Sequence, residues 1–307
     1  SSYSAHFEEV IKKFQNKNKK ICIFTSDIED LIFKYQCSTI KVFYISPKLG
    51  QIILLNYINC KRLIMTMPDL DNFHIKKSQK CEKYFYFFHS PFSTNMIYRN
   101  KAFFNYDEIC CVGNHHVNEM SEYIKNFNLK NITLIKGGYF RIDKLRQYKK
   151  KFKNKKVLIA PSWAEKNIIT ECSVELISIL IKNNYEVILR PHIESLKRDK
   201  NEIIKIQNTF KGTKNFTIEK GNFSLNSISQ CNYLITDWSG ISIEFAFALE
   251  KPVIFINTPK KIMNKKFNDL SLVPLEENIR NKIGIDIDIS NINTILERIK
   301  ELDDNED

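Results

Sequence analysis

The sequence predicts an α/β fold of two Rossmann-like, doubly wound domains facing a cleft. Three observations carry this. Short apolar runs of strand length alternate with longer amphipathic stretches along the chain, the order that a helix-covered parallel sheet requires. The alternation starts twice, once before and once after a basic block at 144–156, KLRQYKKKFKNKK. Polar residues follow directly on four of the strand-like runs, where open parallel sheets bind their ligands. With 307 residues, 43% of them hydrophobic, the chain is long enough for two cores. The expected division is 1–143, a charged surface linker at 144–156, and 157–307.

In order, the first half opens with a helix at 6–14. Strands follow at 21–24, 40–45, 62–66, 83–88, 108–112 and 132–135. Among the helices between them the clearest is 116–127, where Val117, Met120, Ile124 and Phe127 share one face. After the basic block the pattern restarts with a strand at 157–160, a helix at 172–181, a strand at 186–190, a helix at 195–210 and a strand at 216–218. The stretch NYLITDWSGISIEFAFALEKPVIFINTP then reads as a complete β-loop-α-β unit. Its strands lie at 232–236 and 253–256 and its helix at 241–249, ended by Lys251-Pro252. A last helix spans 292–299. Two doubly wound domains in this order form the glycosyltransferase-B arrangement.

Composition narrows the class. No run reaches the roughly 18 apolar residues of a membrane span, and no charged-then-apolar leader is present, so a cytoplasmic chain is expected. Eight cysteines without a CxxC pair suit a reducing compartment and small buried side chains, not a disulfide framework or a zinc site; no metal ligands are assigned. The net charge of +12 calls for an acidic partner. Nucleic acid is not expected, because neither zinc-finger spacing nor an aromatic RNP pattern accompanies the charge. An anionic membrane surface remains, with the chain peripheral at the inner face of the plasma membrane.

The strand ends carry the candidate chemistry. In the TDWSG loop a strand feeds the free N–H groups of a helix start, an anion cradle in which Ser239 caps and Gly240 admits a phosphate. The plainer alternative is that Asp237 and Ser239 cap a structural helix. His89-Ser90-Pro91 follows 83–88, Pro161-Ser162-Trp163 follows 157–160, and Arg190-Pro191-His192 ends the strand after that. A histidine there serves as a base near neutral pH or as a phosphate partner, against the competing reading of a hydrogen-bonded structural histidine. His6, His74, His115 and His116 lack such a setting and are read as surface or structural residues.

These residues together resemble the CDP-glycerol glycerophosphotransferases of teichoic acid and capsule synthesis, over roughly 84–259. The matches are a strand-end His motif (His89-Ser90-Pro91 for His-Gly-Thr-Pro) and a Gly-x-Pro-Arg-x-Asp junction (Gly138, Arg141, Asp143). They continue with an Ala-Pro-Thr-Trp-type loop (Ala160-Pro161-Ser162-Trp163), a second-domain His (His192), and an Asp-Tyr-Ser-Ser helix start matched by Asp237 and Ser239. An acid at Glu244 and Lys251-Pro252 complete the set. The chain departs from the pattern after His89, at Phe140 in place of Pro, and at Ala164 in place of the Arg that follows Trp.

The resemblance implies a transferase that moves a glycerol-phosphate-like group from a CDP-linked donor to a hydroxyl of a cell-surface glycan or lipid-linked acceptor, with no further cofactor assigned. It implies a donor held by Pro161, Ser162, Trp163, Thr236 and the helix start Asp237 to Gly240, with Glu244 on ribose hydroxyls. Arg190 and His192 would meet phosphate oxygens, and His89 would take the acceptor proton. Two alternatives stay open: a glycosyltransferase using a nucleotide sugar, and a non-catalytic binder of an anionic polymer or nucleic acid.

Overall fold

The computed structural model describes residues 4–150, 154–220 and 225–304. The chain forms two compact units, one running to Phe140 and including Ile262–Leu272, the other holding Arg141 to Lys261 and the chain from Val273 onward. The strands are β1 (Ile21–Thr25), β2 (Ile40–Tyr44), β3 (Cys60–Met65), β4 (Cys81–Phe87), β5 (Glu108–Cys111) and β6 (Thr133–Lys136) in the first unit. The second holds β7 (Lys156–Ile159), β8 (Glu186–Leu189), β9 (Phe216–Ile218), β10 (Tyr233–Thr236), β11 (Val253–Asn257) and β12 (Gly284–Asp288). Every described strand pair is parallel.

The second unit is one six-stranded sheet in the order β12-β11-β10-β7-β8-β9. Its central strands are apolar without interruption because both faces are covered. Val157, Ile159, Val187, Ile235 and Ile254 enter one cluster, while their neighbours Leu158, Ile188, Leu234 and Phe255 enter another on the opposite face. The strand order reverses between β10 and β7, and at such a switch point the loops beyond the carboxyl ends diverge and leave a crevice. The edge strand β12, GIDID, is half polar. Gly284 opens it where a side chain would be impossible, since a Cβ there would lie 1.8 Å from the Val253 carbonyl oxygen.

The first unit carries a two-stranded sheet, β1-β2, and a four-stranded sheet in the sequential order β3-β4-β5-β6. Its core is rich in aromatic residues, with Tyr84, Tyr86, Phe88, Phe103 and Tyr106 packed around Ile109 and Met120. Helix Asn114–Asn126 turns His116, Glu119, Met120 and Tyr123 inward, so its buried face is rotated from the one the apolar spacing predicts. Glu119 is held there by Thr94, its Oε2 accepting from Thr94 N at 2.5 Å and from Thr94 Oγ1 at 2.8 Å, and His116 Nε2 contacts the Phe92 carbonyl at 2.6 Å.

The basic block is not a free linker. Helix Phe140–Arg146 takes up its start and buries Leu145 in the second unit's core, which places the division at Phe140. Lys149 pairs with Glu250, and Lys156 opens β7 with its Nζ 2.7 Å from Glu186; residues 151–153 lie outside the described ones. The predicted helix at 195–210 is two, Ser195–Arg198 and Lys200–Thr209, broken at Asp199 (φ −104°, ψ 27°). All eight cysteines are free thiols, and burial pushes Cys172 and Cys231 up to about 12. Among the described residues no helix is long and apolar enough to cross a membrane.

Candidate active site

In the second unit the loops after β7 and β10 are tied together by one buried carboxylate. Asp237 is 1% exposed, and its Oδ1 accepts from Ser162 N and from Trp238 N, both at 2.7 Å. Burial raises its pKa, and the N–H donors partly oppose that. Thr236, fully buried, donates from Oγ1 to Ala160 O at 2.7 Å. These two predicted donor-binding residues therefore face the protein and set the two loops at the switch point. The Trp238 indole N–H donates to Thr258 O at 2.9 Å, which draws in the loop after β11.

Helix Ile241–Leu249 starts immediately beyond. Its N-terminal flanking position is Gly240 (φ −59°, ψ −17°), and no side chain caps it. The expected cap at Ser239 is absent: the Ser239 carbonyl instead accepts from Ser242 N at 3.1 Å and Ser242 Oγ at 2.9 Å. Two of the first amides of this nine-residue helix, Ser242 N and Glu244 N, are taken by the Ser239 and Gly240 carbonyls; no side chain caps the end, which leaves its positive end available to an anion.

Glu244, one turn on, is buried rather than solvent-facing. Both of its oxygens are taken by Arg141, from Nε at 3.0 Å and from Nη2 at 3.1 Å, a bidentate pair of high geometric specificity. Two residues of the recognised motifs are therefore partners of each other, and Gly138, just before Arg141, has the φ of +75° that favours glycine. Lys251, in the Lys-Pro match, donates to the carbonyls of Ser229 and Cys231 at 2.8 and 2.7 Å, closing the end of helix Leu225–Gln230.

Beyond β8, Arg190 is buried and held by Glu219, Nε to Oε2 2.7 Å, and donates to Ser227 Oγ at 2.6 Å. His192 accepts at Nδ1 from Glu194 N at 3.1 Å, so the neutral ring carries its proton on Nε2. Its ring lies 6.1 Å from that of Trp163. Pro161 and Ser162 are buried, and Trp163 is the partly exposed member of that loop.

In the first unit His89 stands just past β4. Its Nδ1 lies 2.6 Å from Oγ1 of Thr66, the residue that follows β3, and Tyr139 donates to its carbonyl at 3.3 Å. His6, expected to lack a setting, has its ring 5.9 Å from that of His89. His115 and His116 are structural and serve the same loop, Nε2 of each contacting the carbonyls of Pro91 and Phe92 at 2.7 and 2.6 Å. Burial pushes His116 down to about 3. His74 is exposed. A cavity of about 400 Å³ in this unit, lined by Asn95, Tyr98, Phe103 and Tyr123 among others, includes none of the predicted site residues.

Sequence reasoning missed Thr66 and Glu219. Glu219 follows a strand read from the sequence, so the rule that selected His89 and His192 would have found it, whereas Thr66 counts as the last residue of the strand predicted at 62–66 and follows β3 only in the structure; their pairing with Arg190 and His89 is a tertiary fact. Among the described residues no group of three His, Cys, Asp or Glu side chains is arranged to hold a metal ion.

Comparison with known proteins agrees with the family resemblance. Residues 89–270, more than half of the chain, match the family model described as CDP-glycerol:poly(glycerophosphate) glycerophosphotransferase. No curated protein sequence matches. In fold, the chain is similar to UDP-GlcNAc 2-epimerase from Methanocaldococcus jannaschii (TM-score 0.59, 11% identity, 97% of this chain and 89% of that one). It is similar to the wall teichoic acid polymerase TagF, in a variant soaked with CDPG (TM-score 0.54, 14% identity, 95% and 76%). A glycosyltransferase from Rickettsia africae gives a TM-score of 0.52 at 14% identity, over 98% and 84%. By the extent of the family match, which spans the His89 loop and the whole Asp237 to Pro259 stretch, this chain belongs to the CDP-glycerol:poly(glycerophosphate) glycerophosphotransferase family of transferases.

Proposed function

We propose that the chain transfers glycerol phosphate from CDP-glycerol to a hydroxyl of a glycan or lipid-linked acceptor, with the donor held by the second unit. The observation that carries this is the uncapped start of helix Ile241–Leu249 directly after the Asp237 clamp. Those amides receive the diphosphate. Trp163 and His192 border it, and Asp237, Thr236 and the Arg141–Glu244 pair position the loops and helix that do so. Arg190, through Glu219, fixes the β8 loop from which His192 projects.

The acceptor oxygen attacks the phosphorus that bears glycerol, the bond to the bridging oxygen breaks, and CMP leaves. Charge grows on the departing phosphate, where the helix amides and the Nε2–H of His192 stabilise it. The acceptor proton passes to His89, whose ring Thr66 orients.

A thermal-shift screen tests the donor assignment. A ligand at 100 times its dissociation constant adds about 2.7 kcal/mol, so CDP and CDP-glycerol are expected to stabilise the protein more than UDP, GDP or ADP. Preference for UDP would favour a nucleotide-sugar reaction instead. The anionic membrane surface is a separate proposal resting on the net charge of +12. Sedimentation with phosphatidylglycerol vesicles, fading at high salt, is the expected result; no difference from neutral vesicles overturns it.

A further inference from the structure

The loop after β11 carries two lysines that the mechanism above does not use. Lys260 is ion-paired, its Nζ 2.7 Å from Glu277. Lys261 makes no ion pair among the described residues; its Nζ sits 3.8 Å from the centroid of the Trp163 ring. The Arg198 guanidinium carbon lies 5.0 Å from the same ring, and the His192 ring 6.1 Å from it. The four side chains come from the loops after β7, β8 and β11 and from helix Ser195–Arg198, so the indole of the β7 loop gathers basic groups from two further strand ends and one helix.

Cation–π attraction explains one cation on an indole, at about 0.5–2 kcal/mol. It does not explain two, because like charges crowded at one ring repel. The acids within reach do not balance them. Glu194 is shared between Lys197 at 3.5 Å and Arg198 at 3.8 Å, and Asp237 is buried with Oδ1 already accepting two N–H groups. Burial pushes Lys261 down to about 7, Arg198 adding to the fall while Asp237 and Glu194 oppose it. Lys261, with no ion pair among the described residues, shares the Trp163 ring with His192 and with Arg198, whose side chain is 62% exposed; a cluster of basic groups on one strand-end loop is an arrangement that an anionic ligand completes.

We propose that Lys261, with Arg198 and His192 around Trp163, forms the subsite that grips the donor's diphosphate. This rests on the reading that the chain binds a CDP-linked donor. An ammonium near neutrality is drawn to its charged form by a bound anion, so Lys261 takes up a proton as the diphosphate arrives. At rest the uncharged amine spares the cluster its repulsion with Arg198.

Titration calorimetry at pH 8 in buffers of different ionisation enthalpy tests this, with CDP and cytidine as probes. Wild type is expected to take up a fraction of a proton, up to one, with CDP and none through this lysine with cytidine. Lys261→Met should lose that uptake and bind CDP about tenfold more weakly, the loss of one charge-assisted contact, while cytidine affinity is unchanged. Lys261→Arg should recover affinity without the uptake, because arginine stays charged. If Lys261→Met keeps both wild-type affinity and uptake, the subsite is wrong although the donor reading stands; uptake retained in both variants places the proton elsewhere and also overturns it. If wild type binds no CDP, the donor reading fails and takes this inference with it.

Discussion

His89→Ala is expected to cut glycerophosphate transfer by about a hundredfold or more, in the range usual for removal of a general base, while CDP binding stays within about twofold. The expectation follows from the placement of the ring past β4, its Nδ1 held 2.6 Å from Thr66 Oγ1, and its loop pinned through Pro91 and Phe92 by two further histidines. His192→Ala acts on the other half of the reaction. It should slow CMP release from the donor whether or not an acceptor is present, because its Nε2–H is assigned to the leaving phosphate. Donor hydrolysis without acceptor is therefore the deciding assay: His89→Ala retains it, and His192→Ala does not. Thr66→Val should lose about tenfold through misplacement of the ring, with Thr66→Ser restoring it. Two histidine variants with the same hydrolysis rate, or full transfer by His89→Ala, would show that the acceptor role has been given to the wrong residue.

What could be read from the sequence was what each segment states by itself. Strands β7, β8, β10 and β11 are continuous apolar runs, and burial on both sheet faces makes such runs necessary. Strand β12 escaped because an edge strand needs no such run: Asp286 and Asp288 lie on it, Asp286 within 2.8 Å of Arg280 and Asp288 accepting from Asn257. Helix Leu49–Tyr57 escaped for the opposite reason, since LGQIILLNY is apolar on every side, and Leu49, Ile53 and Tyr57 are left exposed.

The site divides in the same way. Strand-end position selected His89, His192 and the Trp163 loop, because loops at carboxyl ends are a property of the local β-loop-α pattern. The partners were not legible. That Arg141 closes on Glu244, that Glu219 holds Arg190, and that Lys261 reaches Trp163 depend on side chains distant in sequence meeting in the fold. The carboxylate of Asp237 read as a ligand or a cap; its full burial, with Oδ1 joining two strand-end loops, is a packing outcome.

Asp237→Ala is accordingly expected to act on the fold before it acts on catalysis. It strips the acceptor from two buried amides, Ser162 N and Trp238 N, and each unsatisfied buried donor costs about 1–3 kcal/mol; a loss of roughly 2–6 kcal/mol is expected, among the larger effects of single substitutions. Asp237→Asn should be far milder, because an amide oxygen still accepts from both and no charge is buried. The two variants also separate by pH. Burial raises the folded-state pKa of Asp237 above its ordinary 3.8. The contribution of this group to stability is therefore fully present below about 4 and is lost as pH rises through the folded-state value. Wild type should lose stability relative to Asp237→Asn as pH rises above about 4. Urea unfolding from pH 4 to pH 7.5 measures it. A gap that moves the other way, with wild type gaining on Asp237→Asn as pH rises, would mean that the amide donors outweigh burial and that the clamp is a stabilising carboxylate.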